Sequence, residues 1–118
     1  MRLYRAVQTD PPTVRDMMSA TDLGRPCPTP SRQPDYDGVS VFLTADQCRS
    51  AMRAFPKIGV RVAELEVPES VTRQPASPSG HVRLDGTTPA QLLGYVVAIH
   101  AGNESLGHTV ASILRRKG

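Results

Sequence analysis

Between Gly38 and Pro68 the spacing of apolar positions changes period twice. Val39, Val41 and Leu43 alternate with Ser40 and Phe42 behind the turn signal Asp37-Gly38, the period-two pattern of a strand. Thr44 then occupies an N-cap position with Gln47 at capping-box spacing, and Asp46 adds negative charge to the first turn. Cys48, Ala51, Met52 and Phe55 form one apolar stripe, Arg49, Ser50 and Arg53 point the other way, and Pro56 stops the run. This predicts a helix covering one face of a sheet. Val60, Val62, Leu65 and Val67 next stand among Arg61, Glu64 and Glu66, a second strand that closes at Pro68. The two strands either run parallel through a right-handed crossover or belong to an antiparallel arrangement with strands between them, and the pattern leaves both open.

The same reading extends along the chain. Residues 1–7 alternate Leu3, Arg5 and Val7 against Tyr4 and Ala6, predicting a central or near-central strand. Asp10-Pro11-Pro12 opens a short helix that packs Val14, Met17 and Met18 and ends at Gly24. Residues 25–37 carry Pro26, Pro28, Pro30 and Pro34, which predicts a loop, either an active-site lid or a plain surface connection. A second Pro/Ser-rich connection spans 69–80. His81 to Leu84 reads as a short strand, Asp85-Gly86 as a turn, and residues 87–93 as a capped helical turn leading into the apolar run 94–100, a strand expected to be buried on both faces. Asn103 caps a final helix over 103–117 with Leu106, Val110, Ile113 and Leu114 on one side and Arg115, Arg116 and Lys117 at its end. The predicted fold is α/β (α+β): one compact domain, a central mixed sheet of about five strands, three to four short helices and two Pro-rich loops.

Composition sharpens this picture only in places. A chain of 118 residues is the size of one domain and can bury about two thirds of its unfolded surface. With three Tyr, two Phe and no Trp, its core must rest on aliphatic side chains. The net charge of +3 and pI near 9.2 permit a polyanionic partner without requiring one. Cys27 and Cys48 have no metal-type spacing and read as reduced thiols of a cytoplasmic protein, with a disulfide as the alternative. No signal peptide and no membrane-spanning apolar run is recognisable.

A few residues could carry chemistry. Arg5 sits among apolar neighbours, where a guanidinium needs a partner; it either binds an anion or pairs with Glu64 or Glu66 at a sheet edge. Glu64 and Glu66 share one strand face by period two, either as paired carboxylates or as a solvated surface. Thr44 is accounted for by capping, whereas Ser40 is uncommitted. His81, His100 and His108 are scattered without a second ligand at metal spacing, so no metal is expected. Glycine loops that cradle phosphate, nucleophile elbows and Cys/His signatures are missing.

The order of these signals, LYRAV, then VFLTADQCRSAMRAF, then VRVAELEVPE and finally PAQLLGYVV, resembles the ADP-ribosyltransferase-like superfamily. The resemblance is to its small bacterial branches: RES-domain toxins, rifamycin-type ADP-ribosyltransferases and RNA 2′-phosphotransferase-like proteins. It covers most of residues 1–100 as a pattern of elements with a few short motifs. It implies NAD as substrate and, as catalytic residues, Arg5, Glu66 and Glu69. Arg5, Ser40, Phe42 and Thr44 would bind the dinucleotide, Arg5 at the pyrophosphate or ribose and Phe42 against nicotinamide, while Glu66 or Glu69 stabilises an oxocarbenium-like transition state. Phe42 stands where the family leads one to expect a nicotinamide-stacking Tyr, no His follows Tyr4, and Glu64 and Glu66 lie inside a strand rather than in a preceding loop. The function implied is that of a small NAD-dependent transferase or NAD-degrading toxin of bacterial or phage origin. The alternative is a non-catalytic interaction module, a phage or antitoxin-like inhibitor that binds a host protein. A third option is a nucleic-acid-binding regulator with Arg2, Arg61, Arg73 and Arg115 on one face.

Overall fold

The computed structural model describes residues 1–102; the predicted helix over 103–117 lies outside them. Six strands form one sheet: β1 (Arg2–Val7), β2 (Val39–Phe42), β3 (Arg61–Glu66), β4 (Thr72–Arg73), β5 (His81–Asp85) and β6 (Val96–Ala101). Their order is β4-β5-β2-β1-β3-β6, and every neighbouring pair is antiparallel. The first strand is therefore central, as its pattern predicts. β2 and β3 flank it, each antiparallel to it, so they run parallel to one another with β1 between. The architecture is the predicted α+β single domain, with a wholly antiparallel sheet in place of a mixed one and one strand more than the patterning shows. The extra strand is β4, two residues inside the second Pro/Ser-rich connection, which pair with β5 through Thr72 to Asp85 and Arg73 to Leu84.

Apolar side chains cover both faces. Leu3, Val7, Val39, Val41, Ala63, Leu65, Val82 and Leu84 stand on one face and form the larger core with Met17 and Leu92. Met17 comes from a 3-10 turn, Val14–Met17, and Leu92 from α3 (Pro89–Gly94), whose N-cap Thr88 and Gln91 complete a reciprocal capping box. Ala6, Phe42 and Val62 point the other way and meet Cys48 and Met52 of α2 (Ala45–Ala54). Truncating a fully buried aliphatic such as Leu92 costs about 2–5 kcal/mol, so this helix of six residues is fixed by packing as well as by its cap.

Several local expectations are corrected. Thr44 caps α2 by accepting from Gln47 N at 3.1 Å, but the Gln47 side chain packs across Gly80 and does not return to the cap. Arg49 is buried, at 7% exposure, because its Nε donates to the carbonyl of Ala101 at 2.9 Å. Phe55 caps the C-terminus of α2 and is 66% exposed, which removes it from the predicted stripe. The helix expected to run to Gly24 is limited to the 3-10 turn; Gly24 itself adopts a positive φ of 77° in the turn that follows. Residues 25–37 are not all loop: Pro30 starts a 3-10 turn and Pro34 lies in the first turn of α1 (Gln33–Asp37), a position where proline costs no hydrogen bond. The apolar run before Ala101 is an edge strand with Val97 54% exposed, contrary to burial on both faces.

Candidate functional site

The antiparallel sheet is uneven at its centre. β1 pairs with β3 over six residues, from Arg2 with Glu66 to Val7 with Arg61, whereas it meets β2 at one pair, Tyr4 with Phe42. Beyond that pair the two strands diverge, and backbone groups of β2 need other partners. Arg5 supplies one. Its Nη1 donates to the Ser40 carbonyl at 2.6 Å, Nε to the Asp16 carbonyl at 2.8 Å and Nη2 to the Met18 carbonyl at 2.8 Å. One guanidinium thus ties β1, β2 and the Val14–Met17 segment together. Burial lowers its pKa to about 10, with Cys48 and Asp16 acting in the opposite direction, so it is a cation at neutral pH. Its partners are carbonyl oxygens rather than Glu64 or Glu66.

A cleft of about 1240 Å³ opens at this split. Arg5, Ser40, Phe42 and His81 form its floor, and the loop after β1, residues 18–25 and α2 form its walls. Ser40 and His81 lie on neighbouring strands, in register with Arg83 and Phe42 respectively, so their side chains meet diagonally on one face. The Ser40 Oγ is 2.8 Å from His81 Nε2, and the Phe42 ring meets the imidazole edge-on at a centroid distance of 5.6 Å. Burial pushes the His81 pKa below its ordinary value; Asp35 opposes this and Arg83 adds to it.

The cleft is rich in cations. Arg15, Arg25, Arg53 and Lys57 join Arg5 along its lining, against the carboxylates of Asp16, Asp35 and Asp46. Asp16 is already committed: it accepts from Gln8 N at 2.8 Å, Thr9 Oγ1 at 2.7 Å and Thr13 N at 2.9 Å. Burial alone would raise its pKa, but these hydrogen bonds outweigh it and hold the carboxyl below its ordinary value. Asp35 bonds Arg83 and Asp46 bonds Arg49.

Of the residues singled out from sequence, Arg5, Ser40 and Phe42 come together here. Thr44 is at the helix cap and does not line the cleft, and neither do Glu66 and Glu69. Glu66 accepts from the N-terminal amine at 2.8 Å and from Arg2 Nε at 2.9 Å; Glu69 accepts from Arg73 at 2.7 Å. Glu64 and Glu66 do share a face, where both bind Arg2. His100 Nε2 joins Glu64 there at 2.6 Å, and the His100 bond, ahead of Arg2, holds that carboxyl below its ordinary value against the effect of burial. Arg2 and Arg73, expected on a nucleic-acid surface, are thus tied to carboxylates, and Arg115 lies outside the described residues.

His81 was the residue that sequence patterning missed. Its strand was legible, and the period-two alternation of His81 and Arg83 against Val82 and Leu84 assigns it to the face opposite the larger core. What the pattern lacks is strand order, which alone brings β5 beside β2. Among the described residues no group of three or more His, Cys, Asp or Glu is arranged to hold a metal ion, and no helix is long and apolar enough to cross a membrane. Comparisons with family models, curated proteins and solved structures find no match to this chain.

Proposed function

We propose that the cleft binds NAD and that the protein is a small ADP-ribosyltransferase-like enzyme or NAD-degrading toxin. The observation that carries this reading is the convergence of Arg5, Ser40 and Phe42, all assigned to the dinucleotide by the sequence resemblance, in one cleft of about 1240 Å³ with four further cations on its lining. That volume exceeds the roughly 300–1,000 Å³ of ordinary small-molecule sites, which suits a dinucleotide. The cations suit a pyrophosphate. In this reading Arg25 and Arg53 meet the phosphates and Phe42 packs against nicotinamide, while Arg5 keeps the floor in shape. Glu66 and Glu69 lie outside the cleft lining, whereas Asp35 and Asp46 belong to it, and one of these two takes the role of the carboxylate. A cytoplasmic location accompanies the reading and is supported by two cysteines that are both free.

The test is calorimetric titration with NAD, followed by an assay of nicotinamide release. Wild type is expected to bind in the micromolar range, and the Arg25→Glu/Arg53→Glu variant at least tenfold more weakly, because its changes are confined to exposed side chains that would otherwise attract phosphate. The absence of binding and of release at millimolar NAD would overturn the proposal. The alternative of a non-catalytic module that binds a host protein is supported by an apolar feature that shares Phe55 and Ile58 with the cleft lining. Phe55, Ile58 and Val60 are exposed close together between α2 and β3, an apolar ridge of the kind that marks contact surfaces. Loss of a captured partner by Phe55→Asp/Val60→Asp, with NAD inert, would favour it.

A further inference from the structure

We propose that Ser40 and His81 form a nucleophile–base pair, giving the cleft an acyl-transfer activity towards carboxylic esters that is separate from any nucleotide chemistry. Two observations carry it, and a third fixes the strand. The hydroxyl and the imidazole are in direct hydrogen-bonding contact at 2.8 Å, the reach that general-base activation of a serine needs. Both side chains line the open cleft, so an ester can reach them. Arg5 Nη1, donating to the Ser40 backbone carbonyl at 2.6 Å, fixes the strand that carries the hydroxyl.

The imidazole is in the form the chemistry requires. Burial favours neutral His81 at pH 7. Arg83 on its own strand favours it too, whereas Asp35 from α1 favours the imidazolium; Gln47, the α2 residue packed on the adjacent Gly80, is uncharged. With the ring proton on Nδ1, Nε2 accepts from the Ser40 hydroxyl. Ser40 Oγ then attacks the ester carbonyl carbon while its proton passes to Nε2. The carbon–oxygen bond to the leaving alcohol breaks, the alcohol departs with that proton, and the acyl group stays on Oγ. Water next attacks the acyl carbon, gives its proton to Nε2, and the released Oγ recovers it as the carboxylic acid leaves. Each proton is returned, and no co-reactant beyond water is consumed.

The experiment is labelling of the full chain with a biotinylated fluorophosphonate in nucleotide-free buffer, with the modified peptide identified by mass spectrometry. p-Nitrophenyl acetate turnover is measured in parallel. The expected result is modification at Ser40, at a rate that rises with pH to a plateau with a midpoint below the ordinary 6.5 of histidine. Ser40→Ala is expected to abolish labelling, and His81→Gln to slow it about 100-fold and remove the pH dependence. Labelling at another residue, no labelling, or a His81→Gln rate equal to wild type would overturn the proposal. The wild-type pH profile does not depend on the folding of either variant, and a flat profile would overturn it equally. Because no nucleotide is present, a failed NAD titration and a failed labelling are separate outcomes.

Discussion

Replacing Arg5 by Met keeps most of the volume of the side chain and removes its fork of donors. Three carbonyl oxygens, on Asp16, Met18 and Ser40, then lose the donor that Arg5 supplies among the described residues. A buried acceptor left unsatisfied costs about 1–3 kcal/mol, which gives an upper bound near 9 kcal/mol. Two effects reduce it. The cleft lets water reach part of the gap, and Arg5 itself no longer has to be desolvated, the burden that lowers its pKa to about 10. A loss of roughly 3–5 kcal/mol remains, a large share of the 5–15 kcal/mol typical of a domain. At about 4 °C per kcal/mol for this size, the melting temperature should fall by about 12–20 °C. With no Trp in the chain, the assay is urea and thermal unfolding followed by far-ultraviolet circular dichroism. Arg5→Lys separates charge from geometry: one ammonium cannot span three carbonyls as the planar fork does, so it should recover less than half of the loss. A destabilisation by Arg5→Met below about 1 kcal/mol would refute the claim that this side chain closes the split between β1 and β2.

Other positions test other parts of the structure. Asp16→Asn should destabilise by about 1–3 kcal/mol at pH 7. Because the native carboxyl titrates below its ordinary value, its contribution is complete above the unfolded pKa and disappears as pH falls through the folded one. The gap between variant and wild type should therefore close towards pH 2 in acid-unfolding curves. Gly59→Ala would set a Cβ 2.6 Å from the backbone nitrogen of Val7, and β1 cannot yield in the middle of the sheet; denaturant midpoints should show a loss of about 1–3 kcal/mol. Gly94 in α3 has nothing within 4 Å of an added Cβ, so Gly94→Ala should instead gain about 0.5 kcal/mol by restricting the unfolded chain. In folded protein at pH 8, Ellman's reagent should titrate Cys27 alone. Cys48 is fully buried and its thiol is pushed up to about 12 by that burial, so it should react only after denaturation.

The fold was most legible where one sequence signal answers to one local cause. Leu3 and Val7, Val39 and Val41, and Val82 and Leu84 alternate with polar or cleft-facing residues because each strand has two chemically different sides, and Thr44 and Thr88 mark helix starts because each accepts from the third residue on. The misreadings share a different origin. Arg49 has the expected helical position, yet it is buried because Ala101, 52 residues later, offers it a carbonyl, and Phe55 falls one residue past the end of α2, as its C-cap, and is 66% exposed. β6 has the apolar composition of a central strand and lies at an edge. Composition records what a strand can tolerate, while neighbours decide what it receives.

The cleft shows the same division at finer scale. Arg5 is a charge among apolar neighbours, and its chemistry demands a partner. An anion and a glutamate were the partners to expect from charge alone; three carbonyls from two segments, the turn after β1 and β2 itself, answer the demand instead, because the sheet parts at β1 and β2 and leaves backbone acceptors open there. Glu66 and Glu69 are catalytic candidates through the family resemblance alone, which carries no strand register. In the antiparallel sheet β3 runs so that Glu66 pairs with Arg2, at the end of β1 away from Val7, and the carboxylate is spent on Arg2 and the N-terminal amine. His81 has the reverse history: a lone histidine carries no motif, yet the order β5-β2-β1 sets it beside Ser40. A functional pair built across neighbouring strands has no fixed spacing in the chain, since the intervening connection can be of any length. Ser40 and His81 are 41 residues apart, and only the pairing of Phe42 with His81 reduces that separation to a hydrogen bond.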